Sequence, residues 1–325
     1  MTGLPTLAPR HWAALYLLAA VVGVVLLAVA APRPHAPEDP SGCRPRTEAD
    51  RAALQQHLER RDPDILTLDL AGHPRVWASQ LQGGAPLAAP GEQRASCAEW
   101  RAGQLRAAIE QFDEGLFIPL YAVLSLLVVG WVTSGPPLRR VAWAAAAGLV
   151  FATAALVVLD RQENSEMLSM IGRMEVLGVA SVFGKAASFD APDLVAAAHA
   201  ARGASLAKWA ASAAWAAALA LALALCLREA RARLAARWPR AGRVAAALPV
   251  LAMAVAALLF AFGAMTGSRS AAISLPAAAL EAAMAASAAG MAGAALLWAA
   301  ACWLIEGAAP GGPGAGAPPP MADEG

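Results

Sequence analysis

Six long apolar segments, separated by more polar stretches, set the pattern of this chain. They cover 12–31, 115–133, 141–159, 209–227, 244–265 and 283–304. Each is about as long as the ~20 residues that a helix needs to cross the hydrocarbon of a bilayer, and none is charged outside its terminal turns. Because lipid offers no hydrogen bonds to backbone groups, such segments form helices that satisfy these groups internally. The pattern predicts an all-α integral membrane protein with six transmembrane helices.

The basic residues between the segments predict the orientation of the helices. The linker after the fourth segment, at 228–243, contains Arg228, Arg231, Arg233, Arg237, Arg240 and Arg243. The linker after the second contains Arg139 and Arg140, whereas Arg269 is the one basic residue between the last two. Short cytoplasmic loops retain arginine and lysine, so both arginine-rich linkers and both termini are expected in the cytoplasm. The preference for alanine and for arginine over lysine is typical of a GC-rich bacterial genome, which indicates a bacterial inner membrane.

This topology divides the chain into six parts. They are a membrane anchor at 1–31, an extracytoplasmic domain at 32–114, two spans at 115–159, an outer amphipathic helical segment at 160–207, three spans at 208–306 and a disordered cytoplasmic tail at 307–325. The first segment could instead be a cleaved signal peptide, since 28–30 is a small-residue site. Its apolar run is longer than a usual signal core, and Pro32 and Pro34 crowd the site, which favours an uncleaved anchor.

The composition agrees with a membrane protein and argues against one class of partner. The chain is 58% hydrophobic, with a mean hydropathy of +0.51 and a net charge of +1. It has no run of basic residues suited to nucleic acid, so no nucleic-acid partner is expected. Membrane lipid is the expected surrounding, and the extracytoplasmic domain is the expected contact for any protein partner.

The extracytoplasmic domain at 32–114 is small enough to need support for its core. Cys43 and Cys97 lie near its two ends, and in an oxidising compartment their pairing would stabilise the fold by roughly 3 to 4 kcal/mol. Two unpaired thiols are the alternative. The sequence therefore predicts a disulfide between Cys43 and Cys97.

Local patterns in this domain predict a small α/β fold. Thr47 and Asp50 resemble a capping box that opens a helix at 51–61. The stretch 65–70 alternates apolar with polar residues, and turn residues precede Val76-Trp77, so a hairpin is expected after the helix. His57 and His73 have no second ligand at metal spacing, and neither a metal nor a cofactor is expected.

Polar residues also gather where the second span begins. Asp113 and Glu114 precede the apolar run, and Tyr121 lies two turns further along. Pro119 lacks the N–H that would bond to the carbonyl of Gly115, so a kink is expected inside the membrane.

A second polar group ends the third span and begins the fourth. Asp160, Glu163 and Asn164 share one helix face, and Lys208 with Trp209 opens the fourth span. Because these ends are expected at one depth, Lys208 could pair with Asp160 or Glu163. Ionisable groups at membrane depth are costly unless paired, which indicates a binding site. The competing interpretation is that the charges are solvated flanks, with Trp209 as an interfacial anchor.

Three shorter signals concern helix packing. Methionines and other apolar residues recur at helical spacing in 163–177, which predicts an amphipathic helix at the outer surface or packed on the bundle. Asp190, with Pro192 in the first turn, predicts the start of the next helix. Gly290 and Gly293 permit close contact between the last spans.

Three of these motifs together resemble a loose group of uncharacterised bacterial polytopic inner-membrane proteins. The motifs are the stretch 113–121, the Asp160-x-x-Glu163-Asn164 helix end and the Lys208-Trp209 helix start, and they cover roughly 113–227. The resemblance implies a multi-pass membrane location and no particular activity.

Three function classes remain open. A non-enzymatic protein whose outer domain senses, binds or scaffolds a partner fits the absence of catalytic motifs. A transporter of small solutes or lipids would use the polar residues as its binding site. A membrane enzyme would have to work with carboxylates alone, because neither a nucleophile motif nor a phosphate-binding loop is present. The first class, a non-enzymatic role, is the prediction.

Overall fold

The computed structural model describes residues 8–30, 69–82, 91–134, 139–182, 190–269 and 274–306. Several predicted features lie outside these ranges, namely Cys43, the capping box at Thr47 and Asp50, the helix at 51–61 with His57, the stretch 65–68 and the tail at 307–325. The side chain of Cys97 is also outside the description. The disulfide between Cys43 and Cys97 therefore stays a prediction.

The described residues are helical almost throughout. In chain order the elements are α1 (Pro9–Ala30), α2 (Pro74–Gln82), α3 (Gly91–Ala107), a π-helical stretch (Ala108–Phe117), α4 (Ile118–Thr133), α5 (Arg139–Val182), α6 (Pro192–Arg237), α7 (Ala241–Arg269) and α8 (Ser274–Glu306). The α6 helix packs on α5 and α7, α7 packs on α8, and α1 lies against α4 and α8. The smaller α2 and α3 pack on each other and on the far end of α5.

Within the described ranges, six helical segments are long and apolar enough to cross a membrane, which confirms the predicted number of spans. They are Pro9–Leu26, Glu99–Thr133, Arg140–Met174, Pro192–Arg228, Ala241–Ser268 and Leu275–Ala301. Large apolar side chains point away from the bundle, and Phe151 and Leu258 are 75% and 72% exposed. A continuous surface of this kind is suited to lipid rather than to water. The chain is a multi-pass membrane protein.

The predicted hairpin is wrong, and no β-strand occurs in the described part of the chain. Val76 and Trp77, expected as a strand, lie in α2. Pro74 occupies the first helical position, where its missing N–H costs nothing, and the Nδ1 atom of His73 accepts a hydrogen bond from the Arg75 N–H at 3.2 Å. These two features start a helix where the alternating pattern indicated extended chain. The α/β form of the outer domain is therefore not supported.

The buried apolar side chains form two separate clusters. The larger one, here called the main core, is formed by α1 together with the five helices α4, α5, α6, α7 and α8. It includes Tyr16, Val128, Leu219, Met253 and Leu280. The second, here called the small core, includes Ala71, Trp77, Leu81, Ala102, Ile109, Met167, Met170, Ile171, Met174, Leu194, Ala198 and Ala201. The small core thus joins α2 and α3 to the far ends of α5 and α6.

The α5 and α6 helices run without interruption through both cores. Leu149 of α5 lies in the main core and Ile171 lies in the small core, and α6 contributes to both in the same way. The predicted outer segment at 160–207 therefore consists largely of extensions of two membrane helices. The methionine-rich face packs on the bundle as far as residue 174, with Met167, Ile171 and Met174 in the small core, and α6 begins at Pro192 as predicted.

Glycine allows α7 and α8 to approach closely. A Cβ atom on Gly290 would lie 2.9 Å from the Met253 Sδ atom and 3.0 Å from the Pro249 carbonyl oxygen. Both distances are shorter than normal contacts, so a side chain at this position would force Met253 and the Pro249 backbone to shift. The close contact predicted from Gly290 is confirmed.

Candidate functional site

Polar and ionisable side chains meet at the junction between the main core and the small core. They are Asp69, Asp113, Tyr121, Asp160, Glu163, Asn164 and Lys208, and we call them the polar layer. The position of the layer follows from α5, the helix that supplies three of its seven residues. Leu156 of α5 belongs to the main core and Met167 to the small core, and Asp160, Glu163 and Asn164 lie between them.

The ammonium group of Lys208 joins two carboxylates of α5. Its Nζ atom lies 3.2 Å from the Asp160 Oδ1 atom and also contacts the Glu163 Oε2 atom. Ala201 of the small core and Trp209 of the main core flank Lys208 along α6, which fixes its depth. The Lys208 side chain is 12% exposed, and those of Asp160 and Glu163 are 3% and 0% exposed. This is a buried ion-pair network, and the predicted pairing is confirmed.

Asp113 reaches the layer from the π-helical stretch. Ile109 before it belongs to the small core, and Ile118 after it belongs to the main core. The Ile118 N–H donates to the Asp113 carbonyl, five residues back, and Pro119 follows in the first turn of α4. The backbone adapts to Pro119 through these wide turns, which are common at functional sites. The Asn164 Nδ2 atom donates to the Asp113 Oδ2 atom at 2.9 Å.

Tyr121 is held in place by a chain of hydrogen bonds. Its hydroxyl donates to the Asp160 Oδ2 atom at 3.1 Å. The Trp215 Nε1–H donates to the Ser125 Oγ atom at 2.9 Å, and the Ser125 hydroxyl donates to the Tyr121 carbonyl at 2.8 Å. Asp160 therefore receives the Tyr121 hydroxyl on one oxygen and Lys208 on the other.

Asp69 completes the layer and comes from the segment that precedes α2. It is 1% exposed. The next two residues are also buried, with Leu70 in the main core and Ala71 in the small core. Among the described residues, neither carboxylate oxygen of Asp69 has a hydrogen-bond partner. Burial, and next the negative charge of Glu163, hold the pKa of the Asp69 carboxyl well above its usual range.

The segment around Asp69 closes one side of the layer. We call residues 69–82 the cap segment. A Cβ atom on Gly72 would lie 2.7 Å from an Arg202 guanidinium nitrogen, and the same guanidinium donates to the Gly267 carbonyl. Trp77 is fully buried in the small core. The cap segment is thus packed between α6, the end of α7 and the small core.

A polar contact at the surface also holds the cap segment. The Arg75 Nη2 atom lies 2.5 Å from the Asp190 Oδ2 atom, and the His73 Nε2 atom lies 3.5 Å from the Asp190 Oδ1 atom. Asp190 was expected to help open α6, but Ala191 is the N-cap residue and makes no side-chain cap. Asp190 instead ties the cap segment to the start of α6.

The solvated-flank interpretation is wrong for the residues of α5, because Asp160, Glu163 and Asn164 are all 2% exposed or less. Trp209 is not an interfacial anchor either, since it is buried and stacks on Phe260 with 5.7 Å between the ring centroids. These outcomes share one cause. The small core covers the helix ends that the sequence pattern left open to water.

Most of the predicted site residues come together, and one does not. Tyr121, Asp160, Glu163 and Lys208 are joined by one set of direct contacts, and Asn164 with Asp113 by a hydrogen bond; Asp113 also interacts electrostatically with Lys208. Glu114 is half-buried and forms no ion pair or hydrogen bond with them within the described ranges. Ligand binding by the assembled residues stays a prediction.

Asp69 was missed by the sequence reasoning. In the alternating pattern of 65–70 it occupied a polar position of an expected strand. The signal available was weak, because Asp69 directly precedes Leu70 and Ala71 and the local pattern does not distinguish a buried acid from an exposed one. Its burial depends on the distant residues of α5 and α6.

Carboxyl groups are the most numerous functional groups of the layer. Four carboxyl groups, of Asp69, Asp113, Asp160 and Glu163, are electrostatically coupled around Lys208. Among the described residues, no three His, Cys, Asp or Glu side chains are placed so that they could hold one metal ion. The arrangement is suited to holding positive charge or protons.

Comparisons with known proteins add no relative. No protein-family model matches the chain, and searches of curated proteins and of solved structures found no match.

Proposed function

We propose that this protein is a membrane carrier for a monovalent cation, and that the polar layer is its binding site. The observation behind this proposal is the excess of buried acid over base. Three buried carboxyls, of Asp69, Asp160 and Glu163, and the half-buried carboxyl of Asp113 surround the one ammonium group of the layer, so the fully ionised layer would hold three surplus negative charges. Such a surplus is strongly disfavoured inside a membrane bundle unless cations or protons neutralise it.

The position of the layer favours the transporter class of the three considered. Carriers bind their substrates between helices inside the bundle, whereas helix-end charges are usually solvated. Here the small core covers the layer, and Asp69, Asp160 and Glu163 are buried inside the protein. The sensing or scaffolding role was assigned to residues 32–114, of which 69–82 and 91–114 are described, and these pack on the bundle.

We also propose the orientation that the arginine pattern predicts. The first arginine-rich linker, at 139–140, lies at the start of α5, and the second, at 228–243, includes the end of α6. Along both helices, these are the ends away from the polar layer. With those linkers in the cytoplasm of a bacterium, the layer and its cap segment would face the outside of the inner membrane. The carrier would then take up its cation from the external compartment.

Flux measurements test the proposed function. The purified full-length protein would be reconstituted into liposomes, and a potassium gradient with valinomycin would set an inside-negative potential. One arm would follow proton entry with an internal pH dye, and the other would follow uptake of radioactive sodium. We expect the wild type to carry one of the two cations well above empty liposomes.

Glu163→Gln is the test variant, because it removes a charge that is completely buried. Glu110→Gln is its matched control, since Glu110 is exposed in the π-helical stretch. Loss of flux in the first variant with normal flux in the second supports the proposal. Equal flux in both, or no flux of either cation in the wild type, overturns it.

A further inference from the structure

We propose that Asp69 is the group of the polar layer that binds an exchangeable proton, and that Glu163 is the acid it faces. This inference deepens the carrier function and rests on it only for the biological use of the proton. The class of ligand is therefore the proton itself, bound at a carboxyl that the sequence pattern placed outside the site. The remaining acids of the layer already have partners.

The unequal distribution of partners singles out Asp69. Asp160 receives Lys208 and the Tyr121 hydroxyl, Asp113 receives Asn164, and one oxygen of Glu163 contacts Lys208. Both Asp69 oxygens and the Glu163 Oε1 atom have no hydrogen-bond partner within the described ranges. A buried ionised carboxylate without a donor is very costly, whereas a protonated carboxyl removes the charge and supplies a donor.

The α6 cations beside Asp69 and the cap segment, Lys208 and Arg202, both have partners of their own. Lys208 is engaged with Asp160 and Glu163, and the Arg202 guanidinium beside the cap segment donates to the Gly267 carbonyl. On the cap segment itself, His73 and Arg75 pair with Asp190 at the surface. Asp113, Asp160 and Glu163 face Asp69 with negative charge, which favours its protonated form further.

Proton release from Asp69 would also affect how the cap segment packs. Asp69 lies on the cap segment and not on a membrane helix, and its neighbours Leu70 and Ala71 are buried in the two cores. Loss of the proton leaves a charge against Glu163 and weakens the packing of this segment. The proton therefore holds the cap segment closed over the layer, and its release favours opening.

Infrared difference spectroscopy tests this inference independently of transport. Spectra of the reconstituted full-length protein would be compared between about pH 6 and about pH 10, a range in which ordinary aspartates stay ionised. The carboxyl carbons of aspartate would be isotopically labelled, so that a protonated aspartate gives a shifted carboxylic-acid band. We expect this band in the wild type near neutral pH and its loss as the pH rises.

Asp69→Asn should remove that band, and Asp193→Asn should leave it intact, because Asp193 is exposed in the first turn of α6. If Asp69→Asn does not fold, labelled Asp113→Asn replaces it. The band should persist there, since Asp113 is the other aspartate of the layer without a cationic partner. Absence of the band from the wild type, or its loss in Asp113→Asn, overturns the assignment to Asp69.

The two proposals can fail separately. A labelled band assigned to Asp69 together with no cation flux leaves the proton site in place and overturns the carrier. Cation flux without an Asp69 band keeps the carrier and overturns this inference.

Discussion

At the scale of single residues, Lys208 is the group on which the others depend. It is the one ammonium among four coupled carboxyls, and it contacts two of them directly. Removing one partner of a buried ion pair leaves an uncompensated charge, which is far more costly than breaking a surface pair. The network therefore predicts non-additive effects of substitution.

Lys208→Ala and Glu163→Ala are each expected to lower the free energy of unfolding by about 3 kcal/mol or more. The double variant should lose clearly less than the sum, because the second substitution removes the charge that the first left unpaired. Thermal unfolding of the purified protein in detergent would measure all three. Arg161→Ala and Glu110→Ala, which alter exposed charges on α5 and in the π-helical stretch, should be nearly neutral. Additive losses would contradict a coupled pair.

Asp69 gives the stability of the protein a predictable pH dependence. Its pKa is raised in the folded state, so the folded protein binds this proton more tightly than the unfolded chain does. The stabilisation is fully present below the usual aspartate pKa and is lost as the pH rises through the folded value. The melting temperature should therefore fall as the pH is raised across this window.

Asp69→Asn should flatten this slope, because asparagine stays neutral at every pH. Comparison of melting temperatures over a pH series for wild type, Asp69→Asn and the exposed control Asp193→Asn would show it. A wild-type slope that Asp69→Asn retains would assign the dependence to other groups.

At the scale of secondary-structure elements, the contact of α7 with α8 depends on the absence of a side chain at Gly290. Gly290→Ala should destabilise the protein by about 1 to 3 kcal/mol, because the new methyl group meets the Pro249 carbonyl and Met253. Gly148→Ala is the control, since no atom lies within 4 Å of its added Cβ and alanine favours a helix. Thermal unfolding compares the two, and equal stability of both variants would contradict the packing.

The elements also show where sequence reasoning reached its limit. Long uncharged runs determine membrane helices by length and composition alone, so the six spans could be predicted. The α2 helix could not, because its start depends on a single histidine cap and its burial on distant side chains of the small core. The two residues on which the strand prediction rested, Val76 and Trp77, are too few to show the periodicity of a helix.

The candidate site divides in the same way. The common helix face of Asp160, Glu163 and Asn164 follows from the spacing of a helix, and their depth suggested Lys208 as a partner. Their burial does not follow from spacing, because it requires the small core to cover the helix ends. Asp69 joins the site only through the tertiary fold.

At the scale of the whole molecule, the arginine pattern predicts the orientation in the membrane. Reporter fusions after Arg140 and after Arg240 should report the cytoplasm, because arginine-rich short loops are retained there. Fusions near Gly84 and near Ser268 should report the outside. A cytoplasmic signal near Gly84 would reverse the assigned orientation, and the polar layer would then open towards the cytoplasm.

The unbroken helices that pass through both cores limit how this protein can be divided into separate fragments. At 44 and 46 residues, α5 and α6 are about 66 and 69 Å long, roughly twice the hydrocarbon thickness of a bilayer. Half of each helix therefore supplies the walls of the part outside the lipid. Within α5 and α6 there is no break at which that part could be cut, exchanged with another protein or produced as a soluble fragment. Its α5 and α6 walls can be engineered only together with the spans that continue them.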